Sequence, residues 1–102
     1  MFMNNEKAIQ ELVKKIIDDL AALNENKLYA DSEEKLRELL AQRQKNGFVL
    51  YTQLHEILGA PYHMLIETEK AKLITVNETV LLNNLDELET LMIRALDEKD
   101  GM

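Results

Sequence analysis

His55 and Glu56 stand side by side at the head of the stretch HEILGAPYH, residues 55–63, which holds both histidines and the only proline of the chain. A zinc protease that opens on His-Glu needs its second histidine four residues after the first, so that two imidazoles leave one helical face toward a metal about 2 Å away. Here that position is Gly59. His63 follows His55 by eight residues, two helical turns, which is too far for both to ligate one ion. Di-iron bundles ask for Glu-x-x-His pairs, but Thr52 and Ala60 stand three residues before the two histidines. The stretch therefore reads as a bend. Pro61 lacks an N–H and its ring crowds the carbonyl of Ile57, so a helix is expected to be kinked or broken near Gly59–Pro61, and no metal site is expected there.

Other chemistry is equally hard to assemble. Ser32 is the only serine and, next to Asp31, is more simply a helix start than a member of a nucleophilic triad. Gly47, Gly59 and Gly101 are isolated, so no glycine-rich loop can cradle a phosphate. An all-helical enzyme for an anionic substrate would need converging arginines. The chain has Arg37, Arg43 and Arg94, and none in its first helical segment. The acids come in runs, Asp18 with Asp19 and Asp86 with Glu87 and Glu89. Neighbouring acids point to different sides of a helix and read as a solvated face. Neither a catalytic set nor a cofactor is expected.

The elements that would position these residues are helical. Ile9, Leu12, Val13, Ile16, Leu20 and Leu23 recur at helical spacing, which predicts an amphipathic helix over residues 5–23. NENKLYA, residues 24–30, reads as a loop. Asp31 with Glu34 forms a capping-box pattern ahead of Leu36, Leu39 and Leu40, and the second helix is expected to stop near Asn46 and Gly47. Phe48 to Ile66 is an apolar run whose length approaches a membrane span, but Gln53, His55, Glu56 and His63, with the Gly and Pro, mark it as the buried third helix of a bundle. Thr75 with Glu78 is a second capping box, opening a last helix over residues 76–98 with Leu81, Leu85, Leu88, Met92 and Ala95 on one face. Four helices on short connections predict an all-α, antiparallel four-helix bundle, a single domain over residues 1–102.

Composition agrees with that class. With 46% hydrophobic and 30% charged residues the chain has a globular balance, and no cysteine is present for disulfides or thiolate metal sites. The start, MFMNNEKAIQ, turns amphipathic at once and lacks the apolar run of a secretion signal, so a cytoplasmic protein is expected. The net charge of −7 is uneven, with nine acids against four bases over residues 67–102. Such a surface repels phosphate backbones and excludes direct nucleic-acid binding.

What remains is surface. Leu82 and Ile93 fall on one flank of the last helix, and Tyr51, Tyr62 and His63 gather near the bend of the third. These residues either complete the core or form an exposed apolar patch between the last two helices that receives a partner. Lys70 and Lys72, in EKAKLITVN, would then be a basic rim beside it.

With LRELLAQ in a short second helix, a tyrosine-containing apolar third helix and NETVLLNNLDELETLM in the last, the chain resembles the immunity proteins of pediocin-like (class IIa) bacteriocins, the group typified by enterocin A immunity protein. The resemblance covers nearly the whole chain and rests on helix order, length and leucine spacing. It implies an antiparallel four-helix bundle without enzymatic activity, acting at the inner face of the membrane. There it would recognise the mannose phosphotransferase permease once a bacteriocin has locked onto it, and prevent pore killing. It further implies that discrimination among bacteriocins lies in the C-terminal half, here the third and fourth helices and the tail EKDGM. The acidic last third argues against direct insertion into anionic lipid and for protein contact. The alternative is a generic helical interaction module, an antitoxin or adaptor with a soluble partner.

Overall fold

Each helix of the chain carries its buried side chains at alternating steps of three and four residues, and that spacing dictates the architecture. The computed structural model describes residues 5–46 and 51–100, with side chains described for 7–42 and 51–95. Four helices follow in order: α1 (Asn5–Ala21), α2 (Lys27–Asn46), α3 (Tyr51–Lys70) and α4 (Val76–Asp100). The core takes Ile9, Leu12, Val13, Ile16, Ile17 and Leu20 from α1, and Tyr29, Leu36 and Leu39 from α2. From α3 it takes Leu54, Leu58 and Leu65, and from α4 Leu81, Leu82, Leu85, Leu88 and Met92. A stripe of this kind occupies about a third of a helix surface and can be covered only by neighbours on the same side. The helices therefore close into a ring in which α1 packs on α2 and α4, and α3 packs on the same two, with the α1–α4 seam the most extensive. Asp19 near the end of α1 meets Asn84 near the start of α4, their side chains 2.6 Å apart, as antiparallel neighbours require. The four-helix bundle expected from the sequence is the fold.

Helix boundaries differ from expectation: α1 ends at Ala21 rather than at residue 23, α4 runs to Asp100 rather than to residue 98, and α2 and α3 differ more. α2 begins at Lys27 rather than at Asp31. Its cap is Asn26, whose Oδ1 accepts from the Leu28 N–H at 2.9 Å while its carbonyl accepts the first helical bond from Ala30 at 3.0 Å. Tyr29 and Ser32, read from sequence as loop and helix start, are instead buried in the first turns of α2. α3 is not split near Gly59–Pro61. It runs unbroken from Tyr51 to Lys70, past the expected end at Ile66. Pro61 costs the bond to the Ile57 carbonyl, but the ring is buried in the line of Leu54, Leu58 and Leu65, and tertiary packing holds the helix across it. The expected stop at Gly47 and the start at Phe48 lie outside the described residues.

The turn between α3 and α4 is tight. The Leu73 N–H donates to the Thr68 carbonyl and the Lys72 N–H to that of Glu69, both at 3.0 Å, the paired closure of a Schellman motif. The motif puts Lys72 at φ 62°, a left-handed conformation normally left to glycine. Three residues later the predicted capping box is present: Thr75 Oγ1 accepts from the Glu78 N–H at 3.1 Å, and Glu78 Oε1 accepts from the Thr75 N–H at 3.0 Å. Among the described residues no helix is long and apolar enough to cross a membrane.

Candidate partner-binding groove

Consecutive helices joined by so tight a turn are held together at that end. The Tyr62 hydroxyl donates to Asp86 Oδ1 at 3.1 Å across the seam. This bond, then the Asp86 charge, raises the pKa of the phenol above its ordinary value. Beyond that bridge lies a groove of about 190 Å³, with Leu54 and Leu58 of α3 and Leu85, Leu88 and Met92 of α4 as its floor. Its α3 wall is His55, Gly59 and Tyr62, and Glu89 stands on the α4 wall. His55, Gly59 and Glu89 are exposed and Tyr62 is half-buried, while the five floor side chains beneath them are buried.

The electrostatics of the groove follow from the sequence on either side. From Tyr51 to Glu69, and again from Val76 to Ile93, neither helix carries a lysine or arginine, whereas Asp86 and Glu89 fall on the flank of α4 turned toward α3. The groove is therefore apolar below and anionic at its edge.

The sequence-derived site residues distribute unevenly around this feature. Tyr62 lines it. Ile93 is 53% exposed and sits two turns beyond Asp86 on the same flank of α4. Leu82 is only 4% exposed and belongs to the core, so the two residues do not form one patch. Tyr51 is half-buried at the start of α3 and packs against the core. His63, about 100° around the helix from Tyr62, opens onto a different and broader depression of about 570 Å³, with Leu28 of α2 and Ala60, Met64 and Leu73 around it. The two histidines thus face different neighbours and do not converge. Lys70 and Lys72 do not rim the groove, since Lys70 lies eight residues, about 12 Å, beyond Tyr62 and contacts Glu67 at 3.9 Å. Lys72 is taken up by the turn.

Sequence reasoning missed His55, Gly59 and Glu89 as groove residues. The signal was present for two of them: His55 precedes Tyr62 by seven residues, hence on the same face, and Gly59 lies between them at i+4 from His55 and i−3 from Tyr62. Among the described residues no group of three or more His, Asp or Glu side chains is placed to hold a metal ion.

Comparison of the chain with protein-family models, with curated proteins and with solved structures gave no match.

Proposed function

We propose that this chain is an immunity protein against pediocin-like bacteriocins and that it acts by stoichiometric binding, with the face formed by α3 and α4 as its recognition surface. The observation that carries the reading is the α3–α4 groove, a shallow cleft over buried leucines and Met92 that is edged by Tyr62, Asp86 and Glu89. It lies in the half of the chain to which the family resemblance assigns specificity. An apolar groove with a polar border is the form in which a helix face is commonly received. The partner is the mannose phosphotransferase permease with bound bacteriocin, met by a peripheral protein at the inner face of the membrane.

The test is protection. The chain is expressed in a strain sensitive to pediocin-like peptides, and killing curves are compared across a panel of them. Resistance to one or a few peptides is expected. Unchanged killing by every peptide, with the protein abundant and folded in the cell, refutes immunity and favours an interaction module with a soluble partner. Co-sedimentation with membranes only when permease and bacteriocin are both present separates the two readings independently.

A further inference from the structure

Gly59 is the ninth residue of the twenty-residue helix α3. A glycine inside a helix costs about 1 kcal/mol relative to alanine, and a fold commonly imposes that cost through a left-handed backbone or a close approach by a neighbour. Neither applies here. Gly59 is helical, and a Cβ built on it would meet nothing within 4 Å. The bundle has no need of glycine at this position. What the missing side chain does is cut a notch in the α3 wall of the groove, between the rings of His55 one turn before and Tyr62 one turn after, with Glu89 opposite.

We propose that this notch receives a bulky apolar side chain from a cationic amphipathic helix of the partner. In that arrangement the lysines or arginines flanking the inserted residue meet Glu89 and Asp86. This inference deepens the binding reading of the α3–α4 face and rests on it. The volume of about 190 Å³ is below the roughly 300–1,000 Å³ of small-molecule sites and on the scale of one or two side chains. Three residues of α3 around one gap, closed by α4, resemble the hole into which a neighbouring helix sets a knob. Charge selects the occupant: with no lysine or arginine along either wall, a second copy of this chain or an anionic lipid surface would bring negative charge against negative charge. A basic helix is complementary and is steered in by the net charge of −7.

Two synthetic amphipathic helices provide the probe, sharing one leucine face and differing in a polar face of all lysine or all glutamate. Titrations of the full chain are followed by amide NMR shifts. The lysine peptide is expected to bind saturably, with the largest shifts at His55, Gly59, Tyr62 and Glu89, and the glutamate peptide to bind at least about tenfold more weakly. Gly59→Leu fills the notch and is expected to lower the lysine peptide's affinity at least about tenfold while melting no lower than the parent. Glu89→Gln is expected to weaken binding and flatten its salt dependence. Absent saturable binding, shifts centred elsewhere, equal binding of both peptides, or an unaffected Gly59→Leu each overturn the notch. Killing assays on the same proteins keep the two readings apart. A parent chain that protects cells but does not take the lysine peptide at the notch sinks the notch alone. One that takes it there yet protects against no bacteriocin supports the notch and sinks immunity.

Discussion

Leu82 and Ile93 are eleven residues apart, three helical turns plus about 20°, so they lie at nearly the same angle on α4 and should respond alike if angle alone decided burial. The structure separates them: Leu82 is 4% exposed and Ile93 53%. Truncating a buried leucine to alanine costs about 2–5 kcal/mol, the transfer of the lost methyl groups plus the cavity left behind. At Ile93 about half the side chain is already in water, and alanine's better helix propensity offsets part of the loss, so the change is expected to stay within about 1 kcal/mol. The assay is urea unfolding followed by far-ultraviolet circular dichroism. With a slope of about 1–3 kcal/mol per molar urea, Leu82→Ala is expected to lower the midpoint by about 1–3 M and Ile93→Ala by a small fraction of that. Leu82→Glu goes further. It buries a carboxylate without a partner, one turn from both Glu78 and Asp86, and adds several kcal/mol to the lost packing. The sum approaches the about 5–15 kcal/mol that holds a whole domain, so that variant should show no cooperative transition. Equal midpoint shifts for Leu82→Ala and Ile93→Ala, or a cooperative Leu82→Glu, would refute the placement of α4 against α3.

Other substitutions test the ends of the helices. Lys72→Gly relieves a side chain held at φ 62° and should raise stability by about 0.5–1 kcal/mol, the gain being reduced by the greater freedom of glycine in the unfolded chain; an unchanged or lower midpoint contradicts the Schellman turn. Thr75→Ala removes the acceptor for the Glu78 N–H and should cost about 1 kcal/mol with the helical signal retained. Tyr29 is pushed up to about 12 from the ordinary 10, by burial first and then by the charge of Glu78, to which its hydroxyl donates at 3.4 Å. Because the folded state holds this proton more tightly than the unfolded one, the contribution is complete below pH 10 and is lost as pH rises from 10 to about 12. The parent should therefore lose stability across that window more steeply than Tyr29→Phe, in thermal melts run at stepped pH; parallel curves would show that Tyr29 is not shielded.

The fold was legible because each stripe repeats on the helical period. Ile9 to Leu20 and Leu81 to Met92 leave no other element type, and the Thr75–Glu78 cap appears where its residues stand. The start of α2 was not legible for a physical reason. Asn26 competes with Asp31 as a cap on equal chemical terms, and what decides between them is the burial of Tyr29 and Ser32, which exists only once the other helices are in place. Pro61 was read as a kink or a break, and the helix runs on through it without a break. A local rule that breaks an isolated helix is overridden when the ring itself is a core residue. Periodicity placed Leu82 and Ile93 on one flank of α4, but their different burial depends on distance along the axis, which a one-dimensional period does not encode. Gly59 two residues before a proline spells a turn in sequence, and only an intact helix turns it into a gap.

The polar links of the bundle show why the groove lies where it does. Near the α3–α4 turn, Asn26 Nδ2 reaches Met64 Sδ at 3.4 Å and Tyr29 reaches Glu78, tying the start of α2 to both α3 and α4. One level further, Asn84 and Asp86 leave α4 on nearly opposite sides, about 200° apart, the first to Asp19 of α1 and the second to Tyr62 of α3. Past this level α4 continues along its extensive seam with α1, while toward α3 it faces the open groove. The α4 wall is therefore backed by packed core, and the α3 wall is stiffened by the buried Pro61 next to the notch. A surface built this way is largely formed before a partner arrives, so that less of the binding energy is spent on ordering it. Specificity would then turn on a few exposed positions, His55, Gly59, Glu89 and Ile93, which can change without disturbing the core that holds them in place.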